Sequence, residues 1–235
     1  MKANALNFTM KPALDSNLSQ LKTEFSMYGV SAVDPAEYTI SKFANEPIET
    51  QKLIIDNIST YLQILAQNIN PEPEKKNYEI ERLKWALSTF GLELADKDFF
   101  KNISEDDYVE FYNEQNIQLY RSVKFFKLCS YSLLDLSVNP WDELYEKPVG
   151  VMSNVIQHIQ EAIKSKITVT CEIGSFVQRE KFAYAHNTTL RTFLVNFRYF
   201  TPLINTDTKQ PAGFLCTFGA EVIAEGQQSS KYRVI

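Results

Sequence analysis

The sequence predicts an α+β protein in which an N-terminal helical region precedes an antiparallel sheet with flanking helices. Three observations carry that expectation. Apolar residues recur at helical spacing as far as Phe90. After the acidic stretch Ser104-Glu105-Asp106-Asp107 the apolar period drops to that of a strand. Short alternating segments rich in aromatic and β-branched residues then follow, with one long amphipathic helix among them.

The first helix is expected over residues 15–28, where Leu18, Leu21, Phe25 and Tyr28 share a face and Asp15 or Ser16 supplies an N-cap oxygen. A second is expected over 47–68, with the stripe Ile54, Ile58, Tyr61, Leu62, Leu65 and Ile69 and with Pro47 in its first turn. Pro71 and Pro73 stop it. A third begins near Glu74 and carries Ile80, Leu83, Leu87 and Phe90, with Trp85 at the edge of the face and Gly91 as C-cap. These stripes serve either packing within the chain or a dimer interface, and the spacing alone does not choose.

Beyond the acidic junction, Tyr108-Val109-Glu110-Phe111-Tyr112 and Ile117-Gln118-Leu119-Tyr120 read as a β-hairpin closed by Asn113-Glu114-Gln115-Asn116. Phe125 to Cys129 and Asn139 to Tyr145 suit short helical turns, joined by a Ser-rich polar connection through Asp135. A clear helix follows over 149–166, with Met152, Val155, Ile156, Ile159 and Ile163 on one face. Strands are expected at 167–173, at 190–200 as far as Pro202, and at 213–223. In the second of these, Phe193, Val195, Phe197 and Tyr199 are assigned one face; the last two strands should pair as a hairpin. The domain division is therefore a helical region at 1–103, a sheet-and-helix domain at 104–226 and a tail at 227–235.

The order strand, strand, short helices, longer helix, three strands resembles a PAS domain, with its five-stranded antiparallel sheet. Cys129-Ser130-Tyr131-Ser132-Leu133-Leu134-Asp135-Leu136 is similar to the GYS-x-x-E-L signature that opens many PAS helices, with Ser130 for its Gly and Asp135 for its Glu. The closing strands, around Arg198-Tyr199-Phe200-Thr201-Pro202-Leu203 and Pro211-Ala212-Gly213-Phe214, are similar to the terminal PAS pair, with Glu221 at the acidic position. The resemblance covers about half the chain. It implies a sheet order of second, first, fifth, fourth, third strand, and a non-enzymatic role in signal transduction: a regulatory sensor that binds a small molecule, or a module that holds two subunits together and informs a protein partner or separate output domain. Two alternatives from other classes are a cone-shaped fold of the nuclear-transport-factor type with a small-molecule activity, and a ligand-free interaction scaffold.

Composition narrows these readings. With 24 Lys and Arg against 29 Asp and Glu, the net charge of −5 offers no electrostatic footprint for a phosphate backbone, so direct nucleic-acid binding is not expected. No long apolar run suggests a signal or membrane span, and the scattered Cys129, Cys171 and Cys216 suit free buried thiols, so a cytoplasmic protein is expected. Nucleophile elbows, Walker loops and dinucleotide fingerprints are missing from the sequence, as is a zinc-protease motif; two histidines cannot build a multi-histidine zinc site.

What remains is aromatic. Phe111, Leu119, Phe126, Trp141, Ile156, Phe193, Phe197, Phe214 and Phe218 are the candidate lining of a cavity between sheet and helices for a small hydrophobic ligand, or else they fill it. His158, at the margin of the long helix, is the one candidate cofactor ligand, of a haem-binding type, while His186 falls in a polar loop. Neither haem nor flavin is expected, because no second ligand is evident and Cys129 lacks the sequence context of a photoreactive cysteine. A homodimer is expected from the PAS resemblance.

Overall fold

The computed structural model describes residues 10–67, 78–181 and 189–227. Ile69, Pro71, Pro73, the expected helix start at Glu74 and His186 lie outside them.

The chain opens with α1 (Lys11–Met27), which starts ahead of the expected Asp15 or Ser16 cap because Pro12 stands in its first turn, where a fixed φ and a missing N–H cost nothing. Asp15 is instead inside the helix, 2.7 Å from Lys11 Nζ on its exposed side. The helix ends on Gly29 at φ +62°, with Gly29 N–H donating to Ser26 and Val30 N–H to Phe25, a closed Schellman turn. A helix that the sequence pattern did not disclose, α2 (Glu37–Asn45), buries only Thr39 and Phe43, too few positions to make a periodic stripe. Then come α3 (Ile48–Ala66), with Pro47 at its cap, and α4 (Tyr78–Thr89), closed by Gly91 at φ +64°.

The strands are β1 (Leu92–Leu94), β2 (Tyr108–Asn113), β3 (Gln118–Arg121), β4 (Tyr145–Glu146), β5 (Val169–Thr170), β6 (Phe176–Glu180), β7 (Thr189–Asn205) and β8 (Pro211–Gln227), with a 3₁₀ helix at Lys97–Asn102. They form one antiparallel sheet ordered β3-β2-β8-β7-β6-β4, with β1 and β5 pairing on β7. Its five principal strands, β2, β3, β6, β7 and β8, run second, first, fifth, fourth, third, the order that the PAS resemblance implies.

Three expectations about the strands need correcting. The segment 167–173 supplies only the short β5; Gly174 at φ +75° turns the chain, and the third principal strand is Phe176–Glu180, aligned on Thr192–Val195. Pro202 does not end β7: it sits opposite Phe214, lacking only its own N–H, and its carbonyl accepts Ala95 N–H from beyond β1. A bulge between Phe197 and Tyr199 then puts the two rings on opposite faces. Gly213 is required where β8 meets β2, since a Cβ there would stand 2.0 Å from the Tyr112 carbonyl oxygen.

Helices cover both faces of this sheet. On the face carrying Tyr108, Phe200 and Phe218 lie α5 (Phe125–Leu128), α6 (Leu133–Val138), α7 (Trp141–Leu144) and α8 (Val151–Ser165). Tyr108 and Phe218 both pack on Phe125, at 5.8 and 6.0 Å between centroids. The opposite face meets the N-terminal region through Phe111–Phe90 at 5.7 Å, Tyr199–Phe99 at 5.6 Å and Tyr120–Tyr61 at 5.9 Å. The apolar stripes of α1, α3 and α4 are thus buried within the chain, and one continuous core runs from Leu14 to Phe218.

The polar connection before Asp135 becomes α6 through a capping box. Ser132 Oγ accepts Asp135 N–H at 3.1 Å, and Asp135 Oδ2 accepts Ser132 N–H at 2.8 Å. These are the Ser and the acid of the PAS-like signature, so its local meaning is helix initiation. Among the described residues, no helix is long and apolar enough to cross a membrane.

Candidate functional site: a cleft beside the first hairpin

The β2–β3 hairpin is set by its loop. Asn113 Oδ1 accepts the N–H groups of Gln115 and Ile117 at 3.0 and 2.9 Å, and Asn116 takes the left-handed conformation that Asn tolerates. That geometry places Glu110 opposite Arg121 and Phe111 opposite Tyr120, with a shift before the Tyr112–Gln118 pair. From behind, Tyr61 of α3 donates its hydroxyl proton to the Arg121 carbonyl at 2.8 Å.

Between this hairpin, the N-terminal half of α3, α6 with α7, and α8 lies a cleft of about 490 Å³. Its apolar wall includes Leu53, Ile54, Leu136, Trp141, Met152 and Ile156. Its polar wall is concentrated on the hairpin, where Tyr112, Gln118 and Arg121 stand side by side.

Behind that wall is a buried polar cluster. Arg121 Nη2 lies 2.9 Å from Glu110 Oε1, with the Arg121 side chain 3% and the Glu110 side chain 7% exposed. The other Glu110 oxygen accepts from the Tyr112 hydroxyl and, at 3.3 Å, from Gln118 Nε2. The guanidinium also rests 4.0 Å over the ring of Phe125. Burial opposes the Arg121 charge, but the Glu110 carboxylate, with Tyr112 and Tyr145, more than restores it and holds the group above its ordinary range. Burial, reinforced by Glu110, drives the Tyr112 hydroxyl well above its own. The carboxylate is therefore fully partnered, whereas Arg121 Nε and Nη1 have no acceptor, nor does the nearby buried Tyr145 hydroxyl have a partner.

A second buried carboxylate, Glu180, is structural. It accepts from Ser130 N–H at 2.7 Å and from Arg191 N–H at 2.8 Å, tying the segment before α6 to β6 and β7. Burial raises its carboxyl above the ordinary value against those hydrogen bonds. Asp107, in the acidic junction, is buried: it accepts Ser104 N–H at 2.8 Å and meets Arg198 Nη1 at 2.9 Å. The reason is the pairing of β2 and β7 with β8, which brings Arg198 over the start of β2.

The nine aromatic and aliphatic candidates separate. Phe111, Phe126, Phe193, Phe214 and Phe218 are core residues packed ring to ring, as in Tyr112–Phe214 at 5.1 Å and Phe25–Phe126 at 4.7 Å. Phe197 packs between Phe176 and Phe218, and Leu119 faces a small gap beside Tyr61 and Leu133. Only Trp141 and Ile156 stand in the cleft. His158 is not one of its wall residues; Nδ1–H donates to the Asn154 carbonyl of its own helix at 2.7 Å. Sequence reading missed Arg121, Glu110 and Gln118, although opposite charges on the two arms of one hairpin were a signal for the pair.

The wall holds no histidine or cysteine among the described residues; its polar groups are the amides of Gln115, Asn116, Gln118 and Asn139, the hydroxyls of Thr50, Tyr112 and Ser137, the Arg121 guanidinium and the Glu46 carboxylate. Among the described residues, no group of acidic, His and Cys side chains is arranged to hold a metal ion.

No protein-family model and no curated protein matches the chain. Among solved structures, it is similar to the PAS domain of a protein from Colwellia psychrerythraea, with 13% identity over 52% of this chain and 89% of that one, at a TM-score of 0.33.

Proposed function

We propose that this chain is a PAS-like regulatory module whose cleft takes up a small, largely apolar molecule, and that a protein partner or separate output domain reads the occupied state. The carrying observation is the 490 Å³ cleft itself, an unfilled space beside a sheet-and-helix core whose aromatic residues are otherwise packed together. Its walls come from α3, the hairpin, α6, α7 and α8, so a bound molecule touches both the N-terminal helices and the sheet domain. A ligand that favours one arrangement of those elements shifts the population by its differential affinity, which is all that a sensor needs.

Ile156→Trp tests this. Ile156 is 43% exposed, so a bulky ring there fills the cleft without entering the core. Small amphipathic molecules should raise the melting temperature of the wild type and not of this variant, and native mass spectrometry should find a retained molecule displaced from the variant. Equal responses in both proteins would contradict the cleft reading, and a ligand-indifferent dimer would favour an interaction module.

A further inference from the structure

Resting on that cleft reading, we infer that the ligand is a neutral, mostly apolar molecule carrying one carbonyl-type oxygen, held by the unused N–H groups of Arg121.

The charge balance of the site decides the class. Arg121 is a wall residue, 3% exposed, and its charge is already matched by Glu110 at 2.9 Å. A carboxylate or phosphate entering beside this pair would add a negative charge to a wall that already carries the Glu46 carboxylate and whose one cation among the described residues, Arg121, is already paired. A hydrocarbon would satisfy the apolar wall but leave Arg121 Nε and Nη1 without acceptors, as they now are. A ketone, ester or amide oxygen supplies an acceptor and adds no charge. Bonds from a charged donor to a neutral acceptor are stronger than those between neutral groups, so one oxygen suffices to orient the molecule. Leu136, Trp141, Met152 and Ile156 then take its apolar body.

Three probes of one shape separate the possibilities: 4-phenylbutan-2-one, 3-phenylpropanoate and butylbenzene, titrated against the full chain by calorimetry and thermal shift. The ketone should bind about tenfold or more tighter than the hydrocarbon and the carboxylate, the factor that one recovered charge-assisted hydrogen bond supplies. If the carboxylate binds best, or the hydrocarbon equals the ketone, the inference is wrong and the cleft reading stands. If none binds up to millimolar concentration, both fall. Arg121→Lys keeps a cation opposite Glu110 but removes the free Nε and Nη1, so it should level the ketone and the hydrocarbon; a preference that survives in it also overturns the inference. Should that variant fail to fold, the wild-type series decides alone.

Discussion

Arg121 and Glu110 face each other in the β2–β3 ladder and meet as an ion pair, Nη2 to Oε1 at 2.9 Å, with both side chains almost wholly out of water. A buried pair of this kind is costly to break from one side only. Glu110→Met or Arg121→Met alone should each lower the unfolding free energy by about 3 kcal/mol or more, because an uncompensated charge stays buried. The double variant should lose no more than one of the single variants, giving a coupling of about 3 kcal/mol in a urea double-mutant cycle. Additive losses would mean that the two side chains stabilise the hairpin independently.

Filling and emptying should have opposite consequences at two kinds of candidate residue. Phe111→Ala and Phe193→Ala each empty the core and should cost about 3–5 kcal/mol. Ile156→Trp, on the half-open wall of the cleft, should cost under about 1 kcal/mol, as surface substitutions generally do, while abolishing ligand stabilisation. Denaturant midpoints with and without ligand measure both quantities.

Glu180 gives a pH dependence of definite sign. Its folded carboxyl is held above 4.5 by burial, so the folded chain binds that proton more tightly than the unfolded one. This contribution favours folding at low pH and is lost as pH rises from 4.5 through the raised folded value. Glu180→Gln removes it. Across that window the variant should gain stability relative to wild type as pH rises, on top of a constant offset for altered bonds to Ser130 and Arg191. A stability difference independent of pH would contradict the assignment.

The thiols should be silent in the native state. Burial pushes Cys129 up to about 12 and Cys216 well above its ordinary value, and Cys171 is raised as well. A disulfide reagent at neutral pH should label almost nothing until denaturant is added, whereupon all three cysteines react. Rapid labelling of the folded chain would show that the core opens readily.

Much of the fold was legible because it rests on local periodicity. The stripes of α1, α3 and α4, the hairpin at Tyr108 and the face of α8 all follow from spacing. What escaped depends on tertiary pairing. Phe176–Glu180 is short and charged and becomes a strand only because β7 offers an edge to it, while the bulge that sends Tyr199 to the far face leaves no mark in the alternation. The site escaped for a related reason. Aromatic residues looked like a pocket lining, yet aromatic residues are also what fills a core, and the cleft lies at the hairpin edge, where Met152, Leu136 and Arg121 converge from distant parts of the chain.

The most direct measurement is a methyl-detected NMR titration with 4-phenylbutan-2-one. The methyl signals of Met152, Ile156 and Leu136 should shift together in a saturable way, while Val195 and Leu203, buried in the sheet core, stay in place. Shifts confined to other residues, or no saturable shift at all, would contradict a ligand-binding cleft beside the hairpin.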